Sequence, residues 1–283
     1  MSDLSVGGVV DAHVHLMPDR LMAAIRRELH ETAGWSFDHP TAREDIEATL
    51  SAAGVERYVA LPYAHRPGMA ADLNAWVCET AGASERAIPF ATVHAGDDDV
   101  RGVVERAFEL GARGLKFQLP VQGFPVDDPR LDGAYEAAAE WDAPVVCHAG
   151  TAPMFEDDPN VGVENFRSFL ASFPDVRVCA AHMGAYEVEE FLGIAREHDS
   201  VFLDTTFAMS SVAGEYMDFD PSTVSDATLV DLSESIMYGS DYPNIPYPYE
   251  RERAHLLERG LPADTRRDIF SRTARRFLGE PVE

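Results

Sequence analysis

The sequence predicts one α/β domain over residues 1–283, a (β/α)8 TIM barrel with a metal site at its C-terminal mouth. Three observations indicate this fold. Eight short apolar runs alternate with helix-like segments, most of these runs show no polar alternation, and four of them lead into histidine or aspartate motifs. Strands covered on both faces have this apolar character, and alternation of strand and helix predicts a parallel sheet. Eight such units favour closure into a barrel.

The predicted strands and helices follow one another through the whole chain. The helices show apolar residues at helical spacing, and the first is expected to start with a capping box, Thr41 followed by Glu44, and to stop at Gly54. The strands are predicted at Val9–His15, Arg57–Leu61, Ile88–His94, Gly114–Leu119, Pro144–His148, Arg177–His182, Val201–Thr205 and Ile236–Gly239. The helices are predicted at Thr41–Ala53, Asp98–Leu110, Pro129–Trp141, Gly162–Phe173, Ala185–His198, Tyr249–Arg259 and Ala263–Leu278.

Two connections are longer than average and carry large apolar side chains. The stretch Thr206–Asp226 leaves the C-terminal end of a strand, so we expect it to be a lid over the barrel mouth. The stretch Ala33–Pro40 either forms part of a pocket wall or packs over the helices. Met154 and Phe155 follow the fifth strand and present the same two alternatives.

The chain is strongly acidic, with a net charge of −26 and a sequence pI of about 4.6. Its cations are 22 arginines and one lysine, Lys116. Nucleic acid and anionic membranes are therefore poor partners, and we expect a small-molecule substrate. The 49 acidic residues predict a protein from a salt-accumulating halophile. A GC-rich genome, the alternative, would explain the preference for Arg over Lys but not the acidity.

The sequence predicts a cytoplasmic protein. It has no run of about 18 apolar residues, and Met1–Leu4 does not begin a basic region followed by an apolar stretch, so neither a membrane span nor a secretory signal is expected. Cys78, Cys147 and Cys179 form no disulfide framework and are interpreted as buried thiols. A homodimer would be in keeping with the frequency of dimers among proteins of this kind.

Histidine and aspartate residues end several of the predicted strands. His13 and His15 are two residues apart and should project from the same face of one strand. His148, His182 and Asp241 each end another apolar run. Because all strand ends of a barrel meet at one mouth, five potential metal ligands would converge there. Asp11 either orients one of the imidazoles or makes a buried structural hydrogen bond.

These motifs resemble those of the amidohydrolase superfamily, in the branch that includes aminocarboxymuconate-semialdehyde decarboxylase. The resemblance rests on an ordered set of motifs that spans nearly the whole chain. It implies a (β/α)8 barrel, usually with zinc, although another divalent metal is an alternative. It also implies metal ligation by His13, His15, His148 and Asp241, with His182 holding the attacking water or polarising the substrate. The motifs are Asp11–His15, Gly114–Phe117, His148–Gly150, Ala181–Gly184 and Gly239–Pro243.

Lys116 has three interpretations, because it ends the fourth predicted strand. In some binuclear relatives a lysine at this place is carboxylated and bridges two metals. Alternatively, an unmodified lysine binds an anionic group of the substrate, or it has no role. A buried cation without partners is costly, which disfavours the last interpretation. Related chains often carry His two residues further on, where this chain has Gln118, so we favour one Zn²⁺ per chain with Lys116 contacting the substrate.

Three functions are compatible with such a site. The leading prediction is a hydrolase that uses a metal-activated water on an amide, ester or lactone bond, with Asp241 moving the proton. The alternative enzyme is a metal-dependent decarboxylase of an unsaturated or aromatic acid, with Lys116, Arg66 or Arg20 seating the carboxylate. A non-catalytic metal- or ligand-binding barrel is the third. It is disfavoured because the expected ligands leave an open coordination position.

Overall fold

Eight parallel strands alternate with helices along residues 8–282, the part of the chain that the computed structural model describes. The strands are β1 (Val9–Val14), β2 (Val55–Ala60), β3 (Ala87–Pro89), β4 (Leu115–Phe117), β5 (Val145–Cys147), β6 (Val178–Ala180), β7 (Val201–Asp204) and β8 (Ile236–Met237). The first three form one sheet and the other five a second, each in sequential order. Parallel bridges join Ala91 to Leu115 and Val14 to Tyr242 where the sheets adjoin. The predicted (β/α)8 barrel is confirmed.

The helices between the strands match most of the predicted segments to within three residues. Two long helices, α1 and α3, had no counterpart in the prediction. The helices are α1 (Asp19–Ala33), α2 (Arg43–Ala52), α3 (Ala70–Gly82), α4 (Val100–Glu109), α5 (Leu119–Gln122), α6 (Asp132–Glu140), α7 (Val163–Ser172), α8 (Val188–Glu197), α9 (Ala213–Tyr216), α10 (Asp226–Asp231), α11 (Glu250–Glu258), α12 (Ala263–Arg267) and α13 (Thr273–Phe277). Short 3-10 segments lie at Pro129–Leu131, Ala181–Glu187 and Pro221–Thr223.

The structure corrects one local prediction and confirms another with a local change. Helix α2 begins at Arg43, and no side chain caps its first turn. The Thr41 hydroxyl instead donates to Asp19 at 3.3 Å, so the expected capping box does not form. The last predicted helix is not uniform, because a π-helical segment, Asp268–Arg272, separates α12 from α13. Phe277 of α13 packs against Phe90, which follows β3, and against Phe202 of β7.

The strands end earlier than the sequence predicted. His148 and His182 lie just beyond the strands β5 and β6, and Asp241 lies four residues beyond β8. His182 and Asp241 adopt positive φ angles, 58° and 57°, which cannot continue a strand. His148, His182 and Asp241 therefore lie on the first turns after their strands, where their side chains can point into the barrel mouth.

No helix within residues 8–282 has both the length and the apolar character that a bilayer crossing requires. Met1–Leu4, on which the expectation of no secretory signal rested, lie outside the described residues. The three cysteines are buried free thiols, as predicted.

Gly150 allows the turns after β5 and β6 to pack against each other. A Cβ atom at Gly150 would lie 2.1 Å from the carbonyl oxygen of Gly184, which is backbone and cannot swing aside. We expect Gly150→Ala to lower the free energy of unfolding by about 1–3 kcal/mol, because the two turns must separate. The matched control is Gly193→Ala in α8, where nothing lies within 4 Å of the added atom. That change should be neutral or stabilise by up to about 1 kcal/mol. Unfolding followed by circular dichroism measures both; equal stability of the two variants would contradict the packing argument.

Candidate metal centre

The side chains of His13, His15 and Asp241 meet at one point of the barrel mouth. Nε2 of His15 lies 2.9 Å and Nε2 of His13 lies 3.2 Å from the same oxygen, Oδ1 of Asp241. One potential ligand atom from each residue lies within 4.8 Å of the others. Within residues 8–282, His13, His15 and Asp241 form the group of at least three His, Cys, Asp or Glu side chains whose potential ligand atoms lie this close together. The fold thus brings together the two predicted histidines at the end of β1 and the predicted aspartate after β8.

The hydrogen bonds of the two imidazoles determine which nitrogens face Asp241. Nδ1 of His15 donates to the carbonyl oxygen of Leu61 at 2.9 Å, and Nδ1 of His13 donates to Oδ2 of Asp204 at 2.8 Å. Since both oxygens can only accept, each ring is assigned its proton on Nδ1 and a lone pair on Nε2. Two lone pairs and a carboxylate oxygen repel one another unless a cation lies between them. The donor set therefore fits a divalent metal ion.

The electrostatics of the trio agree with this reading. Burial alone would raise the pKa of Asp241, but His15 and His13 outweigh it and hold that pKa well below its ordinary value. Burial and Lys116 lower the pKa of His13, but Asp204 and Asp241 outweigh them and raise it. Burial lowers the pKa of His15. In the absence of metal, a proton on His13 can occupy the position between the imidazole and the carboxylate, so metal and proton compete there.

Asp204, at the end of β7, was not identified from the sequence as part of the site. Besides binding His13, its carboxylate accepts from the backbone N–H of His182 at 2.9 Å and of Thr206 at 3.2 Å. It is fully buried, and although burial opposes ionisation, the charge and hydrogen bond of His13 hold its pKa below the ordinary range. The available signal was a carboxylate ending the apolar run Val201–Thr205.

Asp11 makes the structural hydrogen bonds that were one of its two predicted alternatives. Its carboxylate accepts from the hydroxyl of Tyr249 at 2.9 Å and from the backbone N–H of His13 at 3.2 Å. A register shift in β1 between Asp11 and Val14 interrupts the regular pairing with β2. The carboxylate that orients an imidazole is Asp204, not Asp11.

His148 and His182 form the second half of the site. Their ring centroids are 4.8 Å apart, and the His182 centroid lies 5.4 Å from that of His13. His148 is not within the 4.8 Å trio, but its Nε2 is buried and has no hydrogen-bond partner. Burial lowers the pKa of His182 to about 4, and burial together with His182 lowers that of His148 well below its usual value. Both rings are therefore neutral at pH 7, which is the form that binds a metal.

Lys116 is fully buried among these groups. Its Nζ donates to Nε2 of His13 at 3.2 Å, and burial lowers the pKa of the amine. Lys116 does not line the cavity in front of the site. The side chain thus faces the imidazole, whereas contact with a substrate was the favoured prediction.

A cavity of about 870 Å³ opens in front of the imidazoles. His15, His148, His182 and Asp241 form its floor. Both long connections contribute residues to its walls, which for the first is the pocket-wall alternative, whereas a lid role for the second stays a prediction. Residues 154 and 155 also line it. The walls consist mainly of apolar and aromatic side chains from α1, the two connections and the turn after β5: Leu21, Ile25, Leu29, Trp35, Met154, Phe155, Phe207, Tyr216 and Met217.

One wall is anchored by a buried carboxyl group on α11. Glu252 accepts from the backbone N–H of Phe207 at 3.1 Å and from the hydroxyl of Tyr247. Phe207 has a φ of 57° and stacks against Trp35 with ring centroids 5.4 Å apart. Burial raises the pKa of Glu252 well above its usual value. Glu252 therefore holds a residue with a strained backbone in place in the cavity wall.

Comparison with known proteins agrees with this architecture. The family model described as Amidohydrolase matches residues 10–279. An uncharacterized TIM-barrel protein from Bordetella bronchiseptica superposes with a TM-score of 0.76 at 19% identity, covering 96% of this chain and 98% of its own. An amidohydrolase from Burkholderia multivorans with bound HEPES gives 0.70 at 16%, covering 97% and 100%.

A further solved structure adds a bound metal. A 5-carboxyvanillate decarboxylase from Novosphingobium aromaticivorans, complexed with manganese and 4-hydroxy-3-methoxy-5-nitrobenzoic acid, gives a TM-score of 0.65 at 15% identity and covers 97% of each chain. At such identities the likeness shows the fold alone. Among curated protein sequences, none matches this chain significantly.

Replacing Asp204 tests whether it orients His13 for metal binding. In Asp204→Asn the amide is a weaker acceptor for Nδ1 of His13, so the ring is held less firmly. We expect the affinity for zinc to fall by about 10–100-fold, as for other carboxylates that support a ligating histidine. Titration against a competing chelator measures the affinity. The control is Asp231→Asn, which changes an exposed carboxylate paired with Arg196. Unchanged zinc affinity in the Asp204 variant would refute the orienting role.

Glu252 predicts a pH dependence of stability. Its folded pKa is raised, so its protonation stabilises the fold fully below about pH 4.5 and this contribution is lost as the pH rises above that value. Glu252→Gln keeps the acceptor oxygen but has no proton to lose. The unfolding free energy of the variant minus that of the wild type should therefore increase between pH 4.5 and neutrality. Chemical unfolding at a series of pH values measures this difference. For Glu250→Gln, an exposed change on the same helix, the difference should stay flat; a flat result for both would refute the prediction.

Proposed function

Since this chain belongs to the amidohydrolase family, we propose that it is a metal-dependent hydrolase of a small molecule, acting on an amide, ester or lactone bond. The observation that carries the proposal is the convergence of the Nε2 lone pairs of His13 and His15 on Asp241. We further propose that His148 completes the ligand set, in keeping with its buried, unpartnered Nε2. The metal would be a divalent cation, with Zn²⁺ favoured by imidazole ligands. When bound, it would lower the pKa of a water molecule to about 7.

The remaining steps are assigned to side chains of the chain itself. Asp241 is ionised, lines the cavity and is positioned to take a proton and return it to the leaving group. His182 also lines the cavity. Its Nδ1 lies 3.3 Å from the carbonyl oxygen of Thr206, to which it donates, and Nε2 is then available to orient water or the reacting carbonyl group.

A single metal per chain is proposed, with Lys116 as a neighbour of His13. The position where related chains carry histidine holds Gln118, whose amide lies 3.3 Å from Nδ1 of His148. With the amide oxygen turned towards that nitrogen, Nδ1 donates to it and Nε2 of His148 keeps its lone pair for the metal. Gln118 would then serve His148 as Asp204 serves His13. Two metals, with a carboxylated Lys116, are the alternative outcome of a metal analysis.

The decarboxylase alternative is less well supported. It requires a cationic side chain for the substrate carboxylate, and Lys116, Arg66 and Arg20 were the predicted candidates. None of the three is among the residues that line the cavity. The first experiment is elemental mass spectrometry of protein purified without chelators, followed by assays of ester, lactone and amide substrates with and without added metal. Metal-dependent hydrolysis supports the proposal. Release of carbon dioxide from an aromatic acid, or metal binding without turnover, would overturn it.

The assignments of His15 and His182 can be separated by two variants. His15→Ala removes a proposed ligand, so both the metal content and the hydrolysis rate should be lost. His182→Ala leaves the proposed ligands intact, so the metal content should persist while kcat falls by about 10²–10⁴-fold. The control is His198→Ala at the end of α8, which should change neither quantity. Loss of metal in the His182 variant would show that this residue is a ligand, and unchanged kcat would remove its catalytic role.

A further inference from the structure

The cavity walls carry no fixed positive charge. Within the described residues, the cavity lining includes neither arginine nor lysine. Its charged side chains other than histidine are the carboxylates of Asp241, Glu28 and Glu215. A substrate carboxylate entering this cavity would lose hydration without gaining an ion pair.

The nearby cations are committed elsewhere. Arg26 of α1 donates to the carbonyl oxygens of His39 at 2.6 Å and Pro243 at 2.9 Å, which leaves its guanidinium outside the lining. Lys116 is fully buried and is not part of the cavity lining. A bound divalent metal would be partly neutralised by its proposed ligand Asp241, and the lining adds the carboxylates of Glu28 and Glu215, so metal and lining together would supply no net positive charge.

Aromatic rings cover several sides of the same cavity. Trp35 stacks on Phe207 with an angle of 22° between the ring planes. Phe155 stands edge-on to His148 at 5.4 Å, and Tyr63 stands edge-on to His15 at 5.7 Å. These lining rings surround the proposed ligands with apolar and aromatic side chains, which suits a planar ring next to the reacting bond.

We propose that the substrate is an ester, lactone or amide attached to an uncharged aromatic ring, and that the cavity discriminates against substrates bearing a carboxylate. This inference rests on the proposed hydrolytic function. Recognition would come from stacking and shape, and discrimination from the absence of cationic residues together with the rim carboxylates of Glu28 and Glu215. A single cation added to the lining should therefore relax the discrimination.

The test compares two ligands of equal shape that the proposed hydrolase cannot cleave, 4-hydroxyacetophenone and 4-hydroxybenzoate. Calorimetry on the metal-loaded full chain should give a Kd at least about tenfold lower for the ketone. Thr32→Arg adds a cation on the exposed, cavity-lining side of α1, and should reduce this ratio by about threefold or more. Ala23→Arg adds the same charge at an exposed position of α1 that does not line the cavity, and should leave the ratio unchanged.

The outcomes separate this inference from the proposed function. Three results would overturn the substrate class. The benzoate could bind as tightly as the ketone or more tightly, or Thr32→Arg could leave the Kd ratio unchanged. The third is that neither ligand binds, even with 4-hydroxyacetophenone near its solubility limit. Preference for the ketone without any metal-dependent hydrolysis would preserve the discrimination of the cavity against carboxylates and refute the hydrolase. Because the Kd ratio is read without turnover, neither failure can be mistaken for the other.

Discussion

The geometry of the site depends on the hydrogen bonds of the buried Asp204 carboxylate. It fixes the ring of His13 through Nδ1 and holds the backbone of the turns after β6 and β7 through the N–H groups of His182 and Thr206. An isolated buried charge would be strongly destabilising, and three hydrogen bonds offset that cost. One side chain thereby sets the relative positions of an imidazole from β1 and an imidazole from the turn after β6.

Apolar and ionisable side chains occupy different parts of the barrel interior. Phe277 closes one part against Phe90 and Phe202, whereas the mouth contains fully buried Lys116 and Asp204. Replacing such charged groups with well-packed hydrophobic residues is often neutral or stabilising, so stability alone gives no reason to place them there. Ionisable residues with shifted pKa values that share one cavity are typical of a functional site. The proposed metal binding would explain why these buried charged groups are present despite their cost in stability.

The sequence predicted the barrel and the convergence of the β1 histidines with Asp241, because both follow from strand order and from residues at strand ends. It did not predict Asp204, whose partner His13 is 191 residues away, a pairing that local pattern does not reveal. It also missed α1, which has one fully buried residue, Met22, and lines a cavity instead of the core. The predicted Thr41 cap does not form because the Thr41 hydroxyl donates instead to Asp19.

One wall of the cavity, like its floor, is held in place by hydrogen bonds to a buried carboxyl group. The backbone N–H of Phe207, which has a positive φ, donates to Glu252, and burial raises the pKa of that carboxyl group well above its usual value, which favours its neutral form near Asp241. In a chain with a net charge of −26, each further ionised carboxylate near the mouth would raise the pKa of Asp241. Burial of Glu252 therefore has two consequences: the carboxyl group anchors the cavity wall at Phe207, and its neutral form is favoured close to the candidate metal ligand Asp241.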